Sequence, residues 1–152
     1  SMNYILRDAI LDGPSGLPLL KPPWGWISAL DMNTGKLLWQ RPNSRTPGEI
    51  REHPQLAGVA IPDTGNDDRS ALLVTKTLLF SGEGAGMYGA RWGGSTFRAH
   101  NKRSGEVLAE LELGQRQTGV PMTFAIGAQQ YIVVATGAPG EAGQLVALTV
   151  NQ

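Results

Sequence analysis

The chain contains no cysteine, so disulfide frameworks and thiolate metal sites are excluded and the redox compartment is left open. Charge is scarce as well. Only 17% of the 152 residues are charged, and the 13 basic and 13 acidic side chains cancel to a formal charge of zero. Without an excess of either sign, neither a nucleic-acid surface nor an anionic membrane is the main partner. No apolar run approaches the roughly 18 residues that a membrane-spanning helix needs. Helical periodicity is almost absent. Glycine and proline, by contrast, are plentiful at 20 and 10 residues, too many for a helical protein yet short of a disordered or collagen-like composition. At this length, with 41% hydrophobic residues, a single domain with a real core is expected.

The apolar segments are short and punctuated: Trp26–Leu30, Leu37–Trp39, Ala71–Val74, Thr77–Phe80, Val107–Leu113, Tyr131–Thr136 and Leu145–Val150. Turn residues separate them, including Asn33-Thr34-Gly35, Ser104-Gly105 and the Gly137–Gly143 stretch. Short strands at this spacing predict an antiparallel all-β protein. Two segments read as loops. Gln40–Leu56 carries Pro42, Pro47 and Pro54 and has room for one helical turn around Gly48–Glu52. Gly84–Gly94 is Gly-rich, and loops of this length in a compact domain are usually functional or mobile. The Ser1-Met2 start reads as a cleavage scar followed by an initiator methionine, so the native chain is expected to begin elsewhere.

An internal repeat is present. Ser28–Trp39 reads S-A-L-D-M-N-T-G-K-L-L-W and Arg98–Ala109 reads R-A-H-N-K-R-S-G-E-V-L-A. Ala29 aligns with Ala99, Asp31 with Asn101, Thr34 with Ser104 and Gly35 with Gly105, whereas Trp39 meets Ala109. Each copy predicts a strand, a tight turn closed by an Asx side chain, and a second strand. The Asx oxygen bonds its own turn and glycine supplies positive φ.

The pattern A-x-D-x-x-T-G-x-x-x-W resembles the tryptophan-docking motif of quinoprotein dehydrogenases, enzymes that use pyrroloquinoline quinone (PQQ) and are built as eight-bladed β-propellers. The resemblance extends through Leu17–Gly25, His53–Gly58, Leu72–Phe80, Gly119–Phe124 and Gln130–Ala135, and it is nearest to the membrane glucose and quinate dehydrogenase branch. It implies an all-β fold of antiparallel four-stranded blades, a partial segment of the propeller. Residues 1–152 would be one C-terminal fragment, with a half blade at 26–40, a full blade at 57–114 and a three-stranded last blade at 121–150. The second copy departs from the motif at Asn101, Ser104 and Ala109, which weakens that blade contact. The family's catalytic Asp and calcium ligands lie upstream of the matching residues, so no residue here inherits a catalytic or metal role.

The resemblance therefore implies part of a PQQ-dependent dehydrogenase acting on a sugar, polyol or alcohol in the periplasm, inactive as an isolated fragment. PQQ and calcium would belong to the intact enzyme, and the remainder of the propeller would be the main partner. Exposed strand edges predict self-association. The alternative is a non-enzymatic scaffold that uses the same docking repeats. Thr64-Gly65-Asn66 falls where the family's innermost strand reaches the cofactor, which makes Gly65 and Asn66 the candidate cofactor-lining residues, although a plain turn accounts for the same residues.

Other candidates read more plainly. His53, in Glu52-His53-Pro54, is expected to cap or face solvent in a loop. His100, at an alternating strand position, is expected to point outward. Asp67-Asp68-Arg69 and Glu49–Glu52 read as solvated surface. Gly82-Glu83-Gly84-Ala85-Gly86 follows a strand but precedes no helix, so a phosphate cradle is not expected. Trp24 and Trp26 read as strand-edge packing before stacking on a planar ligand.

Overall fold

The computed structural model describes residues 12–84 and 92–149. The Ser1-Met2 start, most of the Gly84–Gly94 loop and the last residue of the Leu145–Val150 segment lie outside them. Within the described residues the fold is all-β and antiparallel, as the short punctuated segments predict.

The first sheet is a hairpin of β1 (Trp26–Leu30) and β2 (Leu37–Pro42). The second has four strands in the order β3 (Leu72–Val74), β4 (Leu78–Ser81), β5 (Thr96–Asn101) and β6 (Val107–Glu112). The third contains β7 (Arg116–Gln117), β8 (Met122–Ile126), β9 (Gln129–Gly137) and β10 (Gln144–Thr149). Here β7 and β8 lie end to end along one side of β9 while β10 takes the other, so the sheet is three strands across. Among the described residues helix is confined to one turn, α1 (Gly48–Arg51), and two 3-10 turns at Pro14–Gly16 and Pro54–Leu56. Prolines at both ends stop α1 from growing.

The two repeat copies are superimposable in chemistry. In β1–β2, the Asp31 carboxylate accepts from the Asn33 N–H at 2.8 Å and Gly35 N–H donates to the Asp31 carbonyl at 2.7 Å, with Gly35 at φ +68°. In β5–β6, the Asn101 amide oxygen accepts from the Arg103 N–H at 2.9 Å and Gly105 N–H donates to the Asn101 carbonyl at 2.8 Å, with Gly105 at φ +71°. Thr34 and Ser104 hydroxyls accept from Lys36 and Glu106 N–H groups. The registers agree too: Ala29 faces Trp39 and Ala99 faces Ala109, each followed by a one-residue shift.

Trp39 joins the first sheet to the second. Its indole N–H donates to the Lys102 carbonyl at 3.0 Å. A methyl group added at Gly105 would lie 2.6–2.9 Å from the Trp39 ring carbons. The indole of one copy thus rests on the glycine of the next, and any side chain there would expel it.

Among the described residues the buried apolar side chains are Ile27, Ile50, Leu79, Trp92, Phe97 and Val134. All five residues of β8 and all six of β6 are exposed. Residues 57–71 form no strand, so Thr64–Asn66 sits in irregular chain and the sheet's first strand is β3, a difference from the innermost-strand placement above. Pro62 and the glycines Gly58 and Gly65 disfavour a ladder in that segment.

Candidate functional site

The irregular segment is nevertheless held by backbone hydrogen bonds and burial around Thr64–Asn66. Trp24 N–H donates to the Thr64 carbonyl at 2.8 Å, Asn43 N–H to the Gly25 carbonyl at 3.0 Å, and Asn66 N–H to the Asn43 carbonyl at 3.1 Å. These bonds lock three chain segments into one crossing. Gly65 adopts φ +65°, and a Cβ there would collide with the Gly25 carbonyl, so both its conformation and its neighbours require glycine. Asn66 is 3% exposed. Its amide nitrogen donates to the Glu83 carbonyl at 3.1 Å and its amide oxygen accepts from Asp68 N–H at 3.1 Å. The two candidate cofactor-lining residues are therefore brought together and buried, and the Asn66 amide is engaged within the chain.

A cleft of about 480 Å3 opens beside this crossing, with Asn66, Ser44, Glu83, Trp92 and Arg98 in its wall. Arg98, on β5, is the buried centre of the polar network. Its guanidinium meets the Glu83 carboxylate at 2.6 Å and the Glu110 carboxylate at 2.7 Å. The Ser44 hydroxyl donates to Glu83 at 2.7 Å, and Arg45 pairs with the far oxygen of Glu110 at 2.6 Å. One guanidinium nitrogen, Nη1, is buried without a hydrogen-bond partner. Burial opposes the Arg98 charge, but the Glu110 and Glu83 carboxylates outweigh it and hold the side chain protonated more firmly than usual. The Arg98 hydrogen bond in turn holds Glu110 below the ordinary carboxylate range, and hydrogen bonds from Thr96 and Ser95 do the same for Glu112.

Sequence reasoning missed Arg98. The signal was a charged residue inside a strand with Glu110 directly opposite on the next strand, a cross-strand ion pair.

Two expectations are corrected by burial. His100 does not point outward; it is 4% exposed, because both faces of β5 are covered. The Gly105 carbonyl 3.4 Å from Nδ1 can only accept, which places the proton on Nδ1 and leaves Nε2 to accept from the Ser81 hydroxyl at 2.9 Å. Asp68 is not solvated either, at 6% exposed; its carboxylate accepts from Arg69 N–H at 2.7 Å. His53 does act as a cap, its Nδ1 accepting from Gln55 N–H at 3.2 Å. Trp24 packs on Trp92 with ring centroids 5.0 Å apart, while Trp26 is exposed. At Gly82-Glu83-Gly84 the Gln117 side chain crowds Gly82 and the Asp68 carboxylate crowds Gly84, a local charge unsuited to phosphate; Ala85 and Gly86 lie outside the described residues.

Burial pushes the His100 imidazole below its ordinary value of 6.5. The unfolded chain then binds a proton that the folded chain resists, so His100 makes stability fall as pH drops below about 6.5. Above that value its contribution is flat. Urea-denaturation midpoints between pH 8 and pH 5 measure the slope, and His100→Gln should flatten it; an unchanged slope in the variant would assign it elsewhere.

Antiparallel sheets joined by an indole of one repeat copy resting on the glycine turn of the next are the arrangement of a β-propeller segment. The chain belongs to the family described as the glucose/ethanol/alcohol dehydrogenase PQQ β-propeller domain, whose pattern matches residues 1–132. It is 31% identical over 134 residues to the quinoprotein glucose dehydrogenase of Escherichia coli strain K12, a match covering 86% of this chain and 15% of the relative. Quinoprotein glucose dehydrogenase A of Acinetobacter calcoaceticus is 28% identical over 132 residues, again covering 86% of this chain and 15% of the relative. The Gluconobacter oxydans strain 621H enzyme is 29% identical over 127 residues, with 80% of this chain and 14% of the relative covered. The chain thus spans about one seventh of the length of these relatives. Among the described residues no helix is long and apolar enough to cross a membrane, and no group of three or more His, Asp or Glu side chains is placed to hold a metal ion.

Proposed function

We propose that this chain is the part of a PQQ-dependent dehydrogenase, oxidising a sugar, polyol or alcohol in the periplasm, that builds one wall of the cofactor chamber and carries blade-to-blade closure. The family match over residues 1–132 is the observation that carries this reading. Bound PQQ supplies the two-electron redox chemistry, and the protein supplies binding and orientation. Gly65 and Asn66 line the chamber by holding the backbone crossing in place. Arg98 Nη1, a buried N–H without a partner of its own, fits an anionic or carbonyl oxygen such as the cofactor presents. In this reading the calcium ligands and the catalytic base belong to the rest of the propeller. The isolated chain is inactive and associates with itself through its open edges.

A chimera tests the reading: these 152 residues replace the matching segment of the Escherichia coli relative, with PQQ and calcium supplied. It should reduce an artificial acceptor when given glucose. Asn66→Ala should raise the PQQ concentration for half-activation about tenfold, the equivalent of one buried hydrogen-bonding group. A folded chimera that takes up no PQQ would favour a scaffold instead. Unchanged PQQ dependence in the variant would remove Asn66 from the chamber wall.

A further inference from the structure

The first sheet meets the second through Trp39, and the third meets the second through Gln117, whose amide donates to the Ala71 carbonyl at 2.9 Å. The two ends of this stack have the same chemistry. In β1, Ala29 faces Trp39 and Ile27 shares its side, the side toward the second sheet. Strand alternation turns Trp26, Ser28 and Leu30 the other way, and all three are exposed. At the far end, Gln130, Ile132 and Leu148 line the gap to the second sheet. Tyr131 and Val133 therefore look outward, beside Phe124 and Met122 on β8 and Ala147 on β10. The Phe124 and Tyr131 rings stack there with centroids 5.2 Å apart, and Met122 and Phe124 are exposed. Neither outer face carries charge. β8, β9 and β10 contain no charged residue, and the one charge in β1 and β2, Arg41, faces Ile27 on the inner side. The middle sheet instead holds Arg98, His100, Glu110 and Glu112.

We propose that the outer faces of the first and third sheets dock on one another between two copies of this chain, head to tail. Stacked repeats stay soluble when their end units carry a polar outer face. Neither end of this stack does, so each is suited to meet a further sheet. Continuity with the internal interface selects the occupant. The inner side of the first sheet already packs on the second, so a first sheet added beyond the third extends the same order of sheets, and a second copy brings one. The contact is heterologous, with a different face from each copy. Trp26 on one face and the Phe124–Tyr131 pair on the other are the aromatic anchors that dominate such contacts. With no charge on either face, neither repels the other. This docking specifies the self-association in the reading above and rests on it for the stack of sheets alone, so the chimera's activity is untouched if the docking fails.

Sedimentation velocity of the 152-residue chain should show association that grows with concentration. Leu30→Glu on one face and Phe124→Glu on the other should each leave a monomer, because either one puts an unpaired carboxylate into every contact. Mixed in equal amounts, the two variants should form a one-to-one dimer and nothing larger. The intact first sheet of one then meets the intact third sheet of the other. Both side chains are exposed in the single chain, so the far-ultraviolet circular dichroism of each variant should match the parent. Met122→Glu tests the same face should Phe124→Glu fail to fold. A monomeric parent, association that survives either substitution (the result of pairing through the β10 edge), or a mixture of folded variants that stays monomeric would overturn the proposal.

Discussion

Replacing Trp39 by alanine should destabilise the chain by about 3 kcal/mol, the lower end of the range for a large aromatic removed from a packed contact. The side chain is half-buried, with its ring on Gly105 and its N–H on the Lys102 carbonyl. Two terms are lost together. The ring surface returns to water, and the Lys102 carbonyl loses its donor. Trp39→Phe separates them, since it keeps most of the ring and should cost about 1 kcal/mol for the hydrogen bond alone. Gly105→Ala approaches the contact from the opposite side and should match Trp39→Ala or exceed it, because the added methyl meets the ring and φ +71° is unfavourable for alanine. Urea-denaturation midpoints measure all three variants. A loss below about 1 kcal/mol for Trp39→Ala would mean that the sheets hold together without the indole, against the cost of a vacated packing site.

Arg98→Met should cost as much or more, about 3–5 kcal/mol, because it strands the Glu83 carboxylate in a buried position. Glu83 is 9% exposed and its nearest cation is Arg98 at 2.6 Å. The double variant Arg98→Met with Glu83→Met should recover much of the loss, since an apolar pair replaces an ion pair and leaves no buried charge behind. The pH dependence has a definite sign. Glu110 is held below its ordinary value of 4.5 chiefly by the Arg98 hydrogen bond. The stability it contributes is present above about pH 4.5 and is lost as pH falls through the lower folded value. Denaturation midpoints between pH 7 and pH 3 should therefore fall in the parent and fall less steeply in Arg98→Met. Equal acid slopes would show that Glu110 does not draw on Arg98.

The parts of the fold that were legible are those encoded within a few residues. Asp31 and Asn101 close their own turns, and Gly35 and Gly105 take positive φ, so the two hairpins follow from local chemistry. The one-turn helix at Gly48–Arg51 follows from flanking prolines in the same way. What escaped was burial. His100 and Asp68 look like surface residues in sequence, yet each is enclosed by segments far along the chain, His100 by Ser81 and Gly105, and Asp68 by Gly84 and Gly93. Arg98 escaped for the same reason. Its partner on the neighbouring strand was within reach of a register argument, but Glu83 joins it only through the β4–β5 connection.

Short apolar segments and Asx-Gly turns were enough, without coordinates, to predict an antiparallel all-β chain, and the repeated docking pattern pointed by resemblance to the propeller family to which it belongs. Those features are local or periodic, and hydrogen-bonded turns and side-chain alternation act over a few residues. The tertiary structure alone decided which indole met which glycine and which charges were enclosed. Desolvation depends on what surrounds a group in space, and no spacing along the chain records it.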